Sequence, residues 1–280
     1  MDGVNYKQAM ARHKDAPDEA HIRACFEAYR AHDITFVRDG GDKYGVSRLA
    51  KRIAPEYGID YRTPIFAIHR RGCYGSIVGR AFDDLRGYAE LVDEAIRQGA
   101  DFIKIMTTGL MDFNEFGRIT HIDLDPAEVR EMVHIAHEKG CAVMSHTNGA
   151  RAVLAAIEAG VDSVEHGNYI DEECIAALAE SRTCFVPTAA VAHNLMGRGL
   201  YDEAVLARIW EASRQAIARA AEAGCLLALG SDAGAVCVPH GQGACDEYAC
   251  FEAAIPDAAA RDAILSRGET FIRTTFSRMT

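Results

Sequence analysis

An amphipathic helix, a glycine stop and a short apolar run recur along this chain. The unit appears as Arg97-Gln98-Gly99-Ala100-Asp101-Phe102-Ile103-Lys104 and returns around Gly140, Gly160 and Gly224, with a weaker copy at Tyr57-Gly58-Ile59-Asp60. Glycine just past a helix takes the left-handed position without a Cβ penalty. The apolar run that follows is too short for a helix and reads as a buried strand. Between the runs the period changes to that of a helix. Leu85, Tyr88, Leu91, Val92, Ala95 and Ile96 mark one apolar face; Val129, Met132, Val133 and Ala136 mark the next, opened by Asp125-Pro126 with Glu128. Ala150, Val153, Leu154 and Ile157 repeat the pattern, as do Val205, Ile209, Trp210 and Ile217.

Seven strands are predicted in this way: Thr35–Arg38, Tyr61–His69, Phe102–Thr107, Ala142–His146, Ser163–His166, Cys184–Pro187 and Leu226–Ser231. Strands alternating with helices imply an α/β fold with a parallel sheet, either a closed barrel or a doubly wound open sheet. No linker or biased tract divides residues 1–280, so a single domain is expected. The strand ends carry chemistry. Lys104 lies within one apolar strand, Ser145-His146-Thr147 and Glu165-His166-Gly167 end two others, and Gly230-Ser231-Asp232-Ala233-Gly234 ends the last. Singly, each has an ordinary reading: a lysine snorkelling out of a strand, a hydrogen-bonded histidine, an aspartate capping a helix. Four on four separate mouths of the same sheet are harder to explain as four caps. His69 at a strand end and Arg38 on the first predicted strand are weaker candidates for binding substrate, Arg38 through a carboxylate.

In this order, Lys104, His146, His166 and Asp232 resemble the later metal and catalytic positions of the amidohydrolase superfamily. Thr35-Phe36-Val37-Arg38-Asp39-Gly40-Gly41, Val161 to Gly167 and Gly230 to Gly234 are similar to segments of its imidazolonepropionase-like and Xaa-Pro-dipeptidase-like branch. The resemblance implies a (β/α)₈ TIM-type barrel and a hydrolase that cleaves a C–N bond, in an amide, dipeptide-like or cyclic amide substrate, by metal-activated water. It implies that Lys104 is carboxylated and bridges divalent ions, zinc above all, that His146 and His166 ligate one ion, and that Asp232 ligates the other and moves the proton.

The sequence departs from that pattern at its start. The superfamily's His-x-His at the end of the first barrel strand is absent, as is its terminal β-sandwich. The barrel is therefore expected to be incomplete, with one ion or two, and with an open edge for a second copy of the chain to cover. Residues 2–14 are expected to be loop, Asp18–Ala31 a helix, and His13, His21 and His32 solvated. Two other functions stay open: a Schiff-base barrel aldolase using Lys104 as nucleophile, and a barrel that has lost catalysis. A net charge of −11, with dispersed basic residues, argues against a nucleic-acid partner. The odd number of cysteines, nine, without a Cys-x-x-Cys pair suggests free thiols in a reducing, cytoplasmic setting. No apolar run is long enough for a membrane span.

Overall fold

A computed structural model describes residues 2–121 and 123–277. In chain order the elements are α1 (Tyr6–Arg12), α2 (Glu19–Ala31), β1 (Phe36–Arg38), α3 (Val46–Ile53), β2 (Asp60–Arg62), β3 (Ala67–Arg70), β4 (Gly79–Phe82) and α4 (Leu85–Arg97). Then come β5 (Ile103–Met106), α5 (Pro126–Glu138), β6 (Val143–Thr147), α6 (Ala150–Ala159), β7 (Ser163–His166), α7 (Glu172–Glu180) and β8 (Cys184–Val186). The chain continues through α8 (Ala190–Leu195), α9 (Glu203–Glu222), β9 (Leu226–Leu227), α10 (Gln242–Ala254) and α11 (Ala258–Thr275). All pairings between these strands are parallel, β1 with β2 and the rest in the order β4-β3-β5-β6-β7-β8-β9.

Three strand expectations are corrected. The predicted Leu226–Ser231 is a strand only over Leu226–Leu227. The run Tyr61–His69 is not one strand. Pro64 supplies no amide donor, and Ile65 follows it with φ +68, so the ladder breaks into β2 and β3. The path nonetheless stays beside its neighbours, since Asp101 N donates to Thr63 O and Asp42 N to Ile65 O. The last correction is an addition: β4 lies in a stretch to which no strand was assigned and pairs with β3. Residues 2–14 are not all loop either, because Asn5 caps α1 by accepting from the amides of Lys7 and Gln8. His13 is buried, not solvated, and its Nδ1 accepts from Asp18 N.

Period-2 alternation sorts the strand residues into two layers. Ile103, Ile105, Val143, Val164, Phe185 and Leu227 face outward into a core shared with the helices. Phe102, Met144, Cys184, Val186 and Ala228 face inward and form a second cluster with Phe36, Ile272 and Phe276. That inner cluster brings β1, of the β1–β2 pair, together with β9 at the far end of the seven-stranded order. The sheet is therefore curled on itself, and Arg38 of β1 reaches across the interior to Ser163 and Glu165 of β7.

No pairing joins β9 to β1 among the described residues, and two helices span the opening. The apolar face of α2, through Ile22 and Phe26, packs with Ala50, Ile53 and Ile59 beside β2. Its other flank reaches the loop after β9, where the Tyr29 hydroxyl meets His240 Nδ1 at 2.8 Å. Gly268 of α11 lies so close to the Leu227 carbonyl of β9 that no Cβ would fit. Arg273, one and a half turns on, stacks over Phe36 of β1 at 4.2 Å and lies 3.7 Å from Asp60 of β2. Phe276 then enters the interior, edge-on to Phe102 at 5.3 Å.

This arrangement makes Phe276 the wedge in the opening. It is fully buried, and Phe276→Ala leaves a cavity that the curled sheet cannot readily collapse. The variant is expected to lose about 3–5 kcal/mol in a urea unfolding titration, as buried Phe→Ala changes do. A loss near zero would show that α11 does not close the sheet.

Candidate active site

The inward positions of β5, β6 and β7 carry polar side chains one level above the apolar inner cluster. Lys104 is inward on β5 because Phe102, two residues before it, is inward. His146 follows Met144 on β6, and Glu165 follows Ser163 on β7, by the same rule. Lys104, His146 and Glu165 are all buried. His166 breaks the rule: alternation would turn it outward. Its backbone instead takes φ +72, followed by Gly167 at +54, and the ring swings back over the mouth. The His146 and His166 rings meet edge-on at 4.6 Å. Gly167 is required here, since a Cβ would fall 2.6 Å from the Phe185 ring. Asp232 also has a left-handed backbone, with φ +54. A left-handed conformation costs a non-glycine residue roughly 1–2 kcal/mol, and such strain gathers where side chains must be aimed.

The hydrogen bonds fix the rings. His146 Nε2 lies 3.1 Å from the Gly109 carbonyl, which Asn148 Nδ2 also approaches at 3.1 Å. His166 Nδ1 is 2.7 Å from the Thr188 hydroxyl. Burial pulls the His146 imidazole down to about 3, with the Lys104 charge adding to it and the Gly109 contact opposing. Burial also holds His166 well below its usual value, helped by His146 and Lys104. Both rings are therefore neutral at pH 7. Burial likewise makes Lys104 less basic, against the pull of Glu165 and Asp232. The Asp232 carboxyl is raised to about 6, first by the protein crowded around the mouth and then by Glu165, with Lys104 opposing. Its side chain stays exposed at the mouth, so this crowding does not seal it from water.

Of the six residues expected at the site, four gather here: Lys104, His146, His166 and Asp232, which influence one another electrostatically. Arg38 lies beneath them. Its guanidinium is bonded to Glu165 at 2.8 Å and Ser163 at 2.9 Å and stacks over Phe276 at 4.3 Å, so it faces the interior. His69 is buried, donates from Nδ1 to the Arg70 carbonyl, and is covered by Gly75, where a Cβ would come within 2.6 Å of its own Cβ. Arg38 is thus engaged in the interior, whereas His69 lies in register with Met106 of β5, which in turn pairs with His146.

Two neighbours of the site went unnoticed in the sequence. Tyr74 stands in the loop between β3 and β4, its ring 5.0 Å from that of His146; with β4 unrecognised, nothing marked that loop. Glu165 lay within a quoted motif, and its two-residue spacing from Ser163 was the available signal. Among the described residues no three His, Cys, Asp or Glu side chains converge closely enough to hold a metal ion. Two neutral imidazoles side by side are, however, a fitting start for a single borderline cation, and Lys104 and Asp232 are the nearest groups to complete its shell.

The model of the amidohydrolase family matches residues 18–265. Ochratoxinase of Aspergillus niger is 32% identical over 142 residues, which cover 49% of this chain and 29% of the ochratoxinase. Among solved structures, a Xaa-Pro dipeptidase with bound methionine superposes with a TM-score of 0.75 at 23% identity, covering 92% of this chain and 70% of that one. The A. niger ochratoxinase crystal structure gives 0.68 at 24% identity, covering 90% and 63%. These structural likenesses agree with a TIM-type barrel that is incomplete here.

The Arg38–Glu165 pair offers a test of how the site is supported. Arg38→Met leaves a buried carboxylate without its partner and is expected to cost about 3–5 kcal/mol. Adding Glu165→Leu should recover much of that loss. Two single-variant losses that simply add, in a double-mutant cycle, would show that the pair is not coupled.

Proposed function

The chain belongs to the amidohydrolase family, and from that premise we propose that it hydrolyses a C–N bond in a small amide or dipeptide-like substrate, using a divalent cation. The supporting observation is the convergence of two neutral imidazoles, the buried His146 and the part-buried His166, from separate strand ends, with Asp232 open to the mouth. The matched part is less than a third of the ochratoxinase's length, so the reading concerns reaction class, and the specific amide stays open.

In this reading His146 and His166 hold the cation through their unprotonated nitrogens, with Lys104, as its carbamate, and Asp232 completing the shell. Bound there, zinc or a similar ion supplies Lewis acidity toward water and an amide carbonyl. The rest falls to the chain. Lys104, made less basic by burial, has access to the neutral amine that carbamate formation needs. Asp232, raised to about 6, is ionised at neutral pH yet close enough to it to take a proton from water and return it to the leaving nitrogen. Thr188 on His166 Nδ1 orients that ring, as partners of metal-binding histidines do. These four side chains provide for one ion, and one ion is proposed. The Schiff-base reading of Lys104 gives no role to His146, His166 or Asp232, which gather around it.

Metal content by elemental analysis and hydrolysis of a panel of N-acyl amino acids and Xaa-Pro dipeptides test this reading. Fewer than two zinc ions per chain are expected. In His146→Ala or His166→Ala, metal affinity should fall by more than the roughly 10–100-fold that losing a ligand's hydrogen-bond partner costs. Hydrolysis should fall with it. Metal content and hydrolysis that both survive the two changes would overturn the assignment.

A further inference from the structure

The helix α10 buries Gly243, Glu247, Cys250, Phe251 and Ala254 on one face. Four of these are small or apolar. The fifth is a glutamic acid with 0% exposure. Its Oε2 accepts the Ala190 amide at 2.6 Å, across 57 residues of sequence. Its Oε1 has no hydrogen-bond partner among the described residues. Burial raises this carboxyl to about 8, against the amides of Ala190, Ala189 and Thr188, so at neutral pH it is largely an uncharged acid.

What Glu247 grips is the turn that leaves β8. The helix α8 begins at Ala190, and its N-cap, Ala189, has no side-chain oxygen to accept the first free amides. Glu247 supplies that acceptor from beneath. One residue before the cap, Thr188 stands in the left-handed region at φ +51 and carries the hydroxyl that meets His166 Nδ1. His166 is itself held at a positive φ, with its ring against His146. Two strained residues in contact need an external brace, because neither conformation is the local minimum.

We propose that Glu247 is a positioning residue: by bracing the turn 188–190 it keeps the Thr188 hydroxyl on His166 Nδ1 and so holds the His166 ring toward His146. The functional consequence rests on the reading of His166 given above; the structural coupling does not.

The experiment uses the full chain labelled with ¹⁵N-histidine, with the His166 ring signals assigned by their loss in His166→Gln. Thr188→Val defines the signal of His166 without its partner. Glu247→Gln keeps an acceptor for the Ala190 amide and is expected to leave His166 as in the wild type. Glu247→Leu is expected to move the His166 signals to the Thr188→Val position, and combining the two should add nothing. Should Glu247→Leu fail to fold, Glu247→Asp, one methylene too short to reach Ala190, is expected to move them part of the way. A folded Glu247→Leu or Glu247→Asp with lowered stability and unmoved His166 signals would overturn the proposal and leave Glu247 as packing alone. Coupling that is observed in a protein that binds no zinc would instead count against the hydrolase reading.

Discussion

The edges of β1 and β9, which no pairing joins among the described residues, govern this structure. A parallel strand edge presents rows of amides and carbonyls, and leaving them to water beside an apolar interior is unfavourable. The chain meets that constraint with helices in place of a strand. On one side α2 joins the β2 flank to the loop after β9, and on the other α11 runs from Leu227 to Phe36 and Asp60. Phe276 fills interior space from the gap. Because the wedge is in place, the sheet stays curled, and the strand ends of β5 to β9 face one mouth.

The polar site stands on that wedge. Phe276 stacks on the Arg38 guanidinium, Arg38 neutralises Glu165, and Glu165 is the largest attractive influence on the Lys104 amine. Charges this deep persist only when paired and hydrogen-bonded, as Arg38 and Glu165 are. Above them the imidazoles are neutral because burial outweighs every other influence on them. An apolar floor, a compensated ion pair and a neutral donor layer thus follow one another up the inside of the sheet.

Re-aiming at the mouth comes from backbone geometry. His166, Thr188 and Asp232 all take left-handed conformations, the first at the end of β7 and the others in the segments that follow β8 and β9. At these points the chain leaves the alternation that governs the strands, and side chains that alternation would scatter are brought onto one side. Such conformations need support from elsewhere in the fold, which the Phe185 ring against Gly167 and the Glu247 carboxyl under Ala190 provide.

The sequence by itself determined the parallel α/β plan, since period and glycine stops are local signals. It set Ser163–His166 to the residue, and most other strands to within one or two. It also singled out Lys104, His146, His166 and Asp232, because strand-end residues need only strand positions to be recognised. Whereas the break at Pro64-Ile65 follows from the proline itself, a local signal, tertiary structure decided the pairing of β4 with β3. It also decided that Arg38 turns to Glu165 and Ser163, 127 and 125 residues away, and not to the mouth. An inward side chain on a curled sheet meets whatever the opposite wall offers, and no local pattern encodes that wall. The closing of the gap by α11 has the same origin: a helix end becomes a wedge only once the sheet has curled around it.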